Sequence, residues 1–177
     1  MIIGITGANA SGKGEAGSYL KSKGFKYYSL SDILREEAWK RGIEPLRENL
    51  IKLGNELREE KGPSVLASLA TKKIEDKNDR VVIDSIRNPF EIKALRKLNG
   101  FALIGIDAPV EIRFKRAIER NRPGDPKTLE EFLEKEKEEN TDSSTNQQLE
   151  NCLKRADIVI LNNSSLDFCI FSAKSLS

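Results

Sequence analysis

The sequence contains no histidine, and this absence excludes several kinds of active site. Without an imidazole group the chain has no histidine general base, no histidine metal ligand and no Ser-His or Cys-His nucleophile pair. A metal ion in this protein would therefore be bound by oxygen ligands.

Cysteine residues and long apolar runs are also scarce, and neither sign of charge is in large excess. Cys152 and Cys169 are too few and too far apart for a zinc site, and we expect both to pack as small hydrophobic residues in a reducing cytoplasm. No secretory signal and no apolar run of about 20 residues stands out, so we expect no association with a membrane. The 30 lysine and arginine residues nearly balance 28 acidic residues, and a net charge of +2 offers no strong field for nucleic acid.

The most specific motif is the segment 7–14, which reads Gly-Ala-Asn-Ala-Ser-Gly-Lys-Gly and directly follows the apolar run 2–6. This order predicts a strand that leads into a phosphate-binding loop. The spacing G-x-x-x-x-G-K lets backbone N–H groups turn toward phosphate oxygens and lets Lys13 reach the terminal phosphates. A serine or threonine usually follows the lysine, but Gly14 and Glu15 stand here, so metal ligation must differ from the common scheme. The predicted ATP-binding residues of this loop are Gly7, Ala8, Asn9, Ala10, Ser11, Gly12, Lys13, Gly14 and Glu15.

Five short apolar runs alternate with helical patterns along 1–177, which predicts one α/β domain. We expect a three-layer sandwich around a five-stranded parallel sheet, with ligands beyond the carboxyl ends of the strands. The predicted strands are 2–6, 26–30, 80–84, 102–107 and 157–162. The acidic run 130–139 is typical of a solvated helix, and we assign it no chemistry. A short closing helix is expected over 166–177.

Two further segments are expected to lie at the edge of the sheet, one as a helical insertion and the other as a mobile lid. The stretch of about 31–78 has helical periodicity and is too long for one crossover helix, so we interpret it as a helical insertion that binds an acceptor. A short lid is expected over about 116–130. Within it, Arg120 and Arg122 lie beside a Pro-Gly loop and are placed to swing over transferring phosphates.

Charged side chains follow two of the predicted strands. Asp84 ends the third strand, where a phosphate-loop protein places a carboxylate beside the metal ion. Arg87 comes three residues later, and a guanidinium group grips phosphate through two parallel hydrogen bonds. Arg35 lies about one helical turn after Asp32 and is expected to join Arg87 in binding a second anion.

The order of these segments resembles that of the nucleoside monophosphate kinases, of which adenylate kinase is the familiar member. The similarity spans most of the chain. Gly12-Lys13-Gly14 matches the end of their glycine-rich loop, Asp32-Ile33-Leu34-Arg35 is similar to their helix-opening D-x-L-R, and Asp84-Ser85-Ile86-Arg87 is similar to their aspartate-to-arginine segment. The resemblance implies a P-loop NTPase fold of the nucleotide kinase type, with ATP as phosphoryl donor and Mg²⁺ as cofactor.

The resemblance also implies roles for individual residues. Arg35 and Arg87 would bind the acceptor phosphate, and Arg120 with Arg122 would bind the donor phosphates. Asp84 would support Mg²⁺.

The sequence departs from these kinases in two places. They have a threonine where this chain has Glu15, and their larger members have a long lid domain that is absent here. The short lid and the segment 156–165 look more like dephospho-coenzyme A kinase. In that resemblance Asn162 and Asn163 would lie near the adenine of ATP.

The two families differ in the acceptor, which is a phosphate in one and a ribose hydroxyl in the other. A hydroxyl acceptor benefits from a carboxylate base, whereas an ionised phosphate is already a nucleophile. Dephospho-coenzyme A kinases place aspartates just after the second strand, where this chain has Ser29 and Ser31. Asp32 is a possible substitute, so the comparison favours a monophosphate acceptor and leaves the hydroxyl acceptor open.

The sequence thus predicts a cytoplasmic enzyme that transfers the γ-phosphoryl group of ATP, with Mg²⁺, to a nucleoside or deoxynucleoside monophosphate. The alternatives are a dephospho-coenzyme A kinase and, because of Glu15, a non-catalytic nucleotide-sensing module. The expected partner is a small-molecule nucleotide rather than nucleic acid or a membrane, and the oligomeric state stays open. The predicted catalytic residues are Lys13, Asp84, Arg87, Arg120 and Arg122, and the predicted acceptor-binding residues are Asp32, Arg35 and Arg87.

Overall fold

A six-stranded sheet forms the middle layer of this protein. The computed structural model describes residues 1–76, 79–121, 125–140 and 143–163, and the backbone of 170–172. The strands are β1 (Ile2–Thr6), β2 (Lys26–Ser29), β3 (Val81–Ile86), β4 (Phe101–Asp107), β5 (Ile158–Leu161) and β6 (Ile170–Ser172). Their order is β2-β3-β1-β4-β5-β6, in which the first five are parallel and β6 is antiparallel to β5.

The five parallel strands confirm the predicted sheet, and the sixth strand was not expected. Residues 170–172 form β6 instead of part of a closing helix, so that prediction was wrong there. Apolar residues with high strand propensity lie at Ile170 and Phe171. By pairing with β5 they satisfy backbone groups that an edge strand would leave open.

Helices cover both faces of the sheet. They are α1 (Lys13–Ser22), α2 (Leu30–Lys40), α3 (Arg47–Lys61), α4 (Val65–Lys72), α5 (Pro89–Leu95), α6 (Val110–Arg120), α7 (Leu129–Glu139) and α8 (Leu149–Leu153). Neighbouring strand residues face opposite layers: Ile83 packs in one core with Leu53 and Leu66, and Val82 packs in another with Phe25. This is the three-layer α/β sandwich that the apolar runs predict. None of these helices, in the ranges described, is long and apolar enough to cross a bilayer.

Helices α2, α3 and α4 fill the stretch between β2 and β3, where a helical insertion was predicted. A buried ion pair ties α3 to the turn after β3. The Arg58 Nη2 atom donates to Glu91 Oε1 at 3.0 Å, and the two residues are 4% and 0% exposed. The other oxygen, Oε2, accepts the backbone N–H groups of Arg87 and Asn88 at 3.0 and 3.1 Å. The Glu91 carboxylate therefore holds the turn that carries Arg87 against the insertion.

Replacing Arg58 with methionine should lower the free energy of unfolding by about 3–5 kcal/mol, because the Glu91 charge would stay buried without its partner. Urea denaturation of both proteins measures the difference. Arg41→Met is the matched control, since the Arg41–Glu37 pair lies at the surface and should contribute little to stability. Equal losses in the two variants would contradict the structural role of the buried pair.

Candidate functional site

The loop between β1 and α1 adopts backbone angles that favour glycine. Gly7 has φ +147° and Gly12 has φ +106°. A Cβ atom on Gly7 would lie 2.0 Å from the Ile106 carbonyl oxygen, and one on Gly12 would lie 2.3 Å from Asn162 Nδ2. The loop is therefore pressed against the ends of β4 and β5, directly before the amino end of α1. This is the strand-loop-helix arrangement that suits phosphate binding.

Lys13 folds over the loop that precedes it. Its Nζ atom donates to the carbonyl oxygens of Gly7 and Ala8 at 2.9 and 2.6 Å. Burial, and next the Arg87 charge, lower the pKa of Lys13 to about 7, and the Asp84 charge opposes this shift. The ammonium group therefore lies among charged groups, and its own charge is only half retained near neutral pH.

Two polar atoms of the loop are buried without a hydrogen-bond partner. They are Asn9 Nδ2 and Ser11 Oγ. Both can donate a hydrogen bond, and buried donors are rarely left unpaired in proteins. The loop thus offers donors of the kind that phosphate oxygens accept from.

Asn162, at the end of β5, holds the loop in place. Its Nδ2 atom donates to the Ser11 carbonyl oxygen at 3.0 Å, and its Oδ1 atom accepts from Arg116 Nη2 at 3.2 Å. Asn162 thus contacts the phosphate loop itself, while Asn163 next to it is exposed. The predicted contact of both residues with adenine stays a prediction.

A bulge at the end of β3 positions Asp84. The register of β3 against β1 slips by one residue there, and Ser85 has φ +64°. Such bulges redirect side chains beside active sites. Asp84 is 5% exposed, and its Oδ1 and Oδ2 atoms accept from the Ser85 N–H at 2.5 Å and the Tyr27 hydroxyl at 2.6 Å. Both oxygens of the carboxylate are therefore held in fixed directions.

Tyr27 is a contact of the site that the sequence did not indicate, because an aromatic residue in a strand is usually core packing. Its ring lies against Gly17 of α1, where a Cβ atom would come within 2.5 Å of the ring. Burial and the Asp84 charge raise the pKa of the Tyr27 hydroxyl. Tyr27 therefore stays protonated and donates to Asp84.

A cavity of about 310 Å³ opens beside the loop, between α2, α3 and the turn after β3. Five of the lining residues are arginines and one is a carboxylate. The charged lining residues are Arg35, Arg47, Arg58, Arg87, Arg120 and Asp125. Much of the apolar lining comes from α2, α3 and α4, with Leu30, Leu34, Leu50, Ile51 and Leu66. The cavity thus combines guanidinium groups with apolar surface.

Arg87 lines this cavity. Its Nη1 atom donates to Gln147 Oε1 at 2.7 Å and lies 3.6 Å from Glu139 Oε2, while its Nε atom is buried without a partner. Burial lowers the pKa of Arg87 despite the neighbouring Glu139 charge. One donor of the guanidinium group thus stays open for an anion.

Arg120, the last residue of α6, connects the cavity to the phosphate loop. Its Nε and Nη2 atoms donate to both oxygens of Asp125 at 2.8 and 2.9 Å. The Nη2 atom also donates to Asn9 Oδ1 at 3.0 Å. The second predicted lid arginine, Arg122, lies outside the described residues.

Arg35 lines the cavity as well, whereas Asp32 does not. The Arg35 Nη1 atom donates to Asp32 Oδ1 at 2.7 Å, and the Asp32 side chain is 59% exposed. Glu15 is exposed in the first turn of α1. The structure therefore brings Arg35, Arg87 and Arg120 together and leaves the two acidic residues at the surface.

Sequence reasoning missed Arg47, Asp125, Glu139 and Gln147. Arg47 begins α3, where a positive charge opposes the helix dipole, and this placement was the available signal. Glu139 belongs to the acidic run that we expected to be solvated, yet it is buried. Most of that helix does face solvent, so the run alone gives no sign of the exception.

Comparison with known proteins gives the family. Residues 3–147 match a family model described as an AAA domain. A UPF0200 protein of Hyperthermus butylicus is 37% identical over 177 residues, which cover 99% of this chain and 92% of that protein. A UPF0200 protein of Pyrococcus abyssi is 37% identical over 171 residues, which cover 93% and 89%. The chain belongs to the UPF0200 family and contains an AAA domain.

Solved structures resemble this family member in fold. TT1252 from Thermus thermophilus superposes with a TM-score of 0.53 at 23% identity, covering 94% of this chain and 90% of that one. Shikimate kinase from Aquifex aeolicus superposes with a TM-score of 0.54 at 18% identity, covering 93% and 88%. At this identity the likeness concerns the fold alone. Together with the AAA domain match over residues 3–147, it confirms the predicted P-loop nucleotide kinase-like superfamily.

At pH 8 the binding of ATP should take up close to one proton per protein, because the phosphates would restore the lowered pKa of Lys13 toward its ordinary 10.5. At pH 6 Lys13 is already charged, so uptake should fall toward zero. Titration calorimetry in two buffers of different ionisation enthalpy measures the proton number.

The uptake should disappear in Lys13→Met. Lys26→Met is the control, since Lys26 lies at the surface beside Asp79 and its pKa is raised rather than lowered. Equal proton uptake by the wild-type protein at pH 6 and pH 8 would show that Lys13 is not the group that titrates.

Proposed function

We propose that this protein is a cytoplasmic, ATP-dependent kinase that transfers the γ-phosphoryl group to a nucleoside or deoxynucleoside monophosphate. The proposal depends on the guanidinium groups of the cavity beside the phosphate loop, whose described lining includes five arginines and one carboxylate. An ionised phosphate acceptor needs positioning and charge neutralisation rather than a general base. A cavity with this lining supplies both.

The donor would lie on the phosphate loop. The amide groups before α1 and the Lys13 ammonium would bind the triphosphate tail, and the unpartnered Asn9 and Ser11 donors add to this binding capacity. The triphosphate tail would compete with the Gly7 and Ala8 carbonyl oxygens for the Lys13 ammonium group. Binding of the donor would therefore favour the charged form of Lys13.

The residues present fit Mg²⁺ held jointly with a nucleotide. Mg²⁺ usually keeps several waters and takes one or two carboxylates together with substrate phosphates. In the described parts of the chain no group of three or more acidic, histidine or cysteine residues could hold a metal ion alone. Asp84, with both oxygens oriented by Tyr27 and Ser85, is the carboxylate suited to a hydrated ion. When bound, Mg²⁺ would neutralise charge on the donor phosphates.

The acceptor would lie in the arginine-lined cavity. Arg35 and Arg87 would bind its phosphate, and Arg120 would neutralise charge on the group in transfer because it reaches both the cavity and Asn9. Leu34 and Ile51 offer apolar surface for the sugar and base. The volume of about 310 Å³ is at the lower end of the range for small-molecule sites.

The surroundings of Asp32 disfavour a hydroxyl acceptor. A base must lie within hydrogen-bond reach of the proton that it removes. Asp32 is exposed, is paired with Arg35 and does not line the cavity, and its lining neighbour Ser31 is not a base. The carboxylate that does line the cavity, Asp125, is paired with Arg120. These contacts favour the monophosphate over dephospho-coenzyme A.

The test is incubation of the protein with Mg-ATP and, one at a time, the nucleoside and deoxynucleoside monophosphates and dephospho-coenzyme A. ADP release and anion-exchange chromatography of the product measure transfer. We expect turnover with at least one monophosphate and none with dephospho-coenzyme A. Turnover with dephospho-coenzyme A alone would contradict the proposed acceptor, and ATP binding without any turnover would indicate a sensor.

Arg87→Ala should reduce phosphoryl transfer by on the order of 10³-fold while ATP affinity stays nearly unchanged, because the guanidinium group faces the acceptor cavity rather than the loop. Steady-state kinetics and ATP titration measure the two effects. Arg41→Ala serves as the control, since Arg41 pairs with Glu37 outside the cavity. Turnover in Arg87→Ala equal to that of the wild type would remove Arg87 from the mechanism.

A further inference from the structure

Arg47 lines the cavity and is bound by two carboxylates. Its Nε and Nη2 atoms lie 2.7 and 2.6 Å from Glu139 Oε1, and its Nη1 atom lies 3.8 Å from Asp125 Oδ1. The Arg47 side chain is 20% exposed, and that of Glu139 is 5% exposed. This is a largely buried ion pair between the start of α3 and the end of α7.

Both members of this pair are unfavourable for their own helices. A positive charge in the first turn of α3 and a negative charge in the last turn of α7 each oppose the helix dipole. A buried ion pair is also a poor source of stability, because desolvation offsets much of the attraction. Helix stability therefore does not explain why Arg47 and Glu139 occupy these positions.

The pair also leaves buried polar atoms unsatisfied. Glu139 Oε2 has no hydrogen bond and lies 3.6 Å from Arg87 Nη1, while Arg87 Nε has no partner at all. The Glu139 carboxylate thus pairs with Arg47 through Oε1 and makes no hydrogen bond to Arg87. A phosphate group has three terminal oxygens and can accept from both arginines at once.

We propose that Arg47 is a further ligand for the acceptor phosphate, and that the Glu139 carboxylate competes with that phosphate for Arg47 and Arg87. The assignment rests on the proposed function in taking the anion to be the acceptor's phosphate. Binding then exchanges one anion for another at the same guanidinium groups. The exchange favours a doubly charged phosphate over a neutral ligand, because only an anion replaces the charge of Glu139.

The test measures the affinity for inorganic phosphate in the presence of saturating Mg-ADP, which keeps the phosphate loop filled. Titration calorimetry is applied to the wild type, Glu139→Gln, Arg47→Met and the double variant. Glu139→Gln should bind phosphate roughly tenfold more tightly, and Arg47→Met roughly tenfold more weakly, as expected for a hydrogen bond to a charged group. The double variant should bind phosphate more tightly than Arg47→Met and more weakly than Glu139→Gln, because Glu139 still competes for Arg87 when Arg47 is absent.

Glu136→Gln is the matched control. Glu136 lies on the same helix and pairs with Arg113, which does not line the cavity. Urea denaturation gives the stability of each variant. A merely structural Glu139 would lose stability and phosphate affinity together, whereas the proposed competitor loses stability and gains affinity. Unchanged or weaker phosphate binding in Glu139→Gln, or unchanged binding in Arg47→Met, would overturn the proposal.

The kinetic assay separates this proposal from the proposed function. If phosphate affinity changes as expected and no monophosphate is phosphorylated, Arg47 is an anion ligand and the kinase proposal fails. If monophosphates are phosphorylated with the same acceptor KM in Glu139→Gln, Arg47→Met and the wild type, the kinase proposal stands and the assignment of Arg47 fails.

Discussion

The Glu91 carboxylate is the contact on which the geometry of the cavity depends. It is completely buried, and it accepts from Arg58 on α3 and from two backbone N–H groups in the turn after β3. The turn carries Arg87, and α3 carries Arg47 and Arg58. The buried Glu91 carboxylate therefore holds α3, on one side of the cavity, at a fixed distance from the turn after β3 on the other side.

The phosphate loop is held in a comparable way by contacts from distant parts of the chain. Asn162 binds the backbone of Ser11 from 151 positions away, and Arg120 binds Asn9 from 111 positions away. These contacts come from the ends of β5 and α6, which converge at the carboxyl edge of the parallel sheet. The loop is thus shaped by its surroundings as much as by its own glycines, and Arg120 contacts both the loop and the cavity.

The sequence predicted the elements whose signals are local. The apolar runs indicated the five parallel strands, and the spacing of Gly7, Gly12 and Lys13 indicated the loop. Arg35, Arg87 and Arg120 line one cavity at the edge of the sheet where the carboxyl ends of the parallel strands meet. Their roles in binding and transfer stay predictions.

The contacts that the sequence could not predict depend on pairing over long separations. Glu139 meets Arg47 across 92 positions, and Tyr27 meets Asp84 across 57. The sequence spacing of neither pair predicts its contact. The bulge at Ser85 is likewise hidden in the sequence, because an apolar run predicts a strand but not an irregularity in its pairing.

The lowered pKa of Lys13 has a chemical consequence. A lysine that titrates at about 7 is largely an uncharged amine in mildly alkaline solution, whereas an ordinary lysine titrates near 10.5. An uncharged amine is a nucleophile that forms Schiff bases with aldehydes. An aldehyde without a charged group would leave that lowered pKa in place, and it should modify Lys13 in preference to the lysines on the surface.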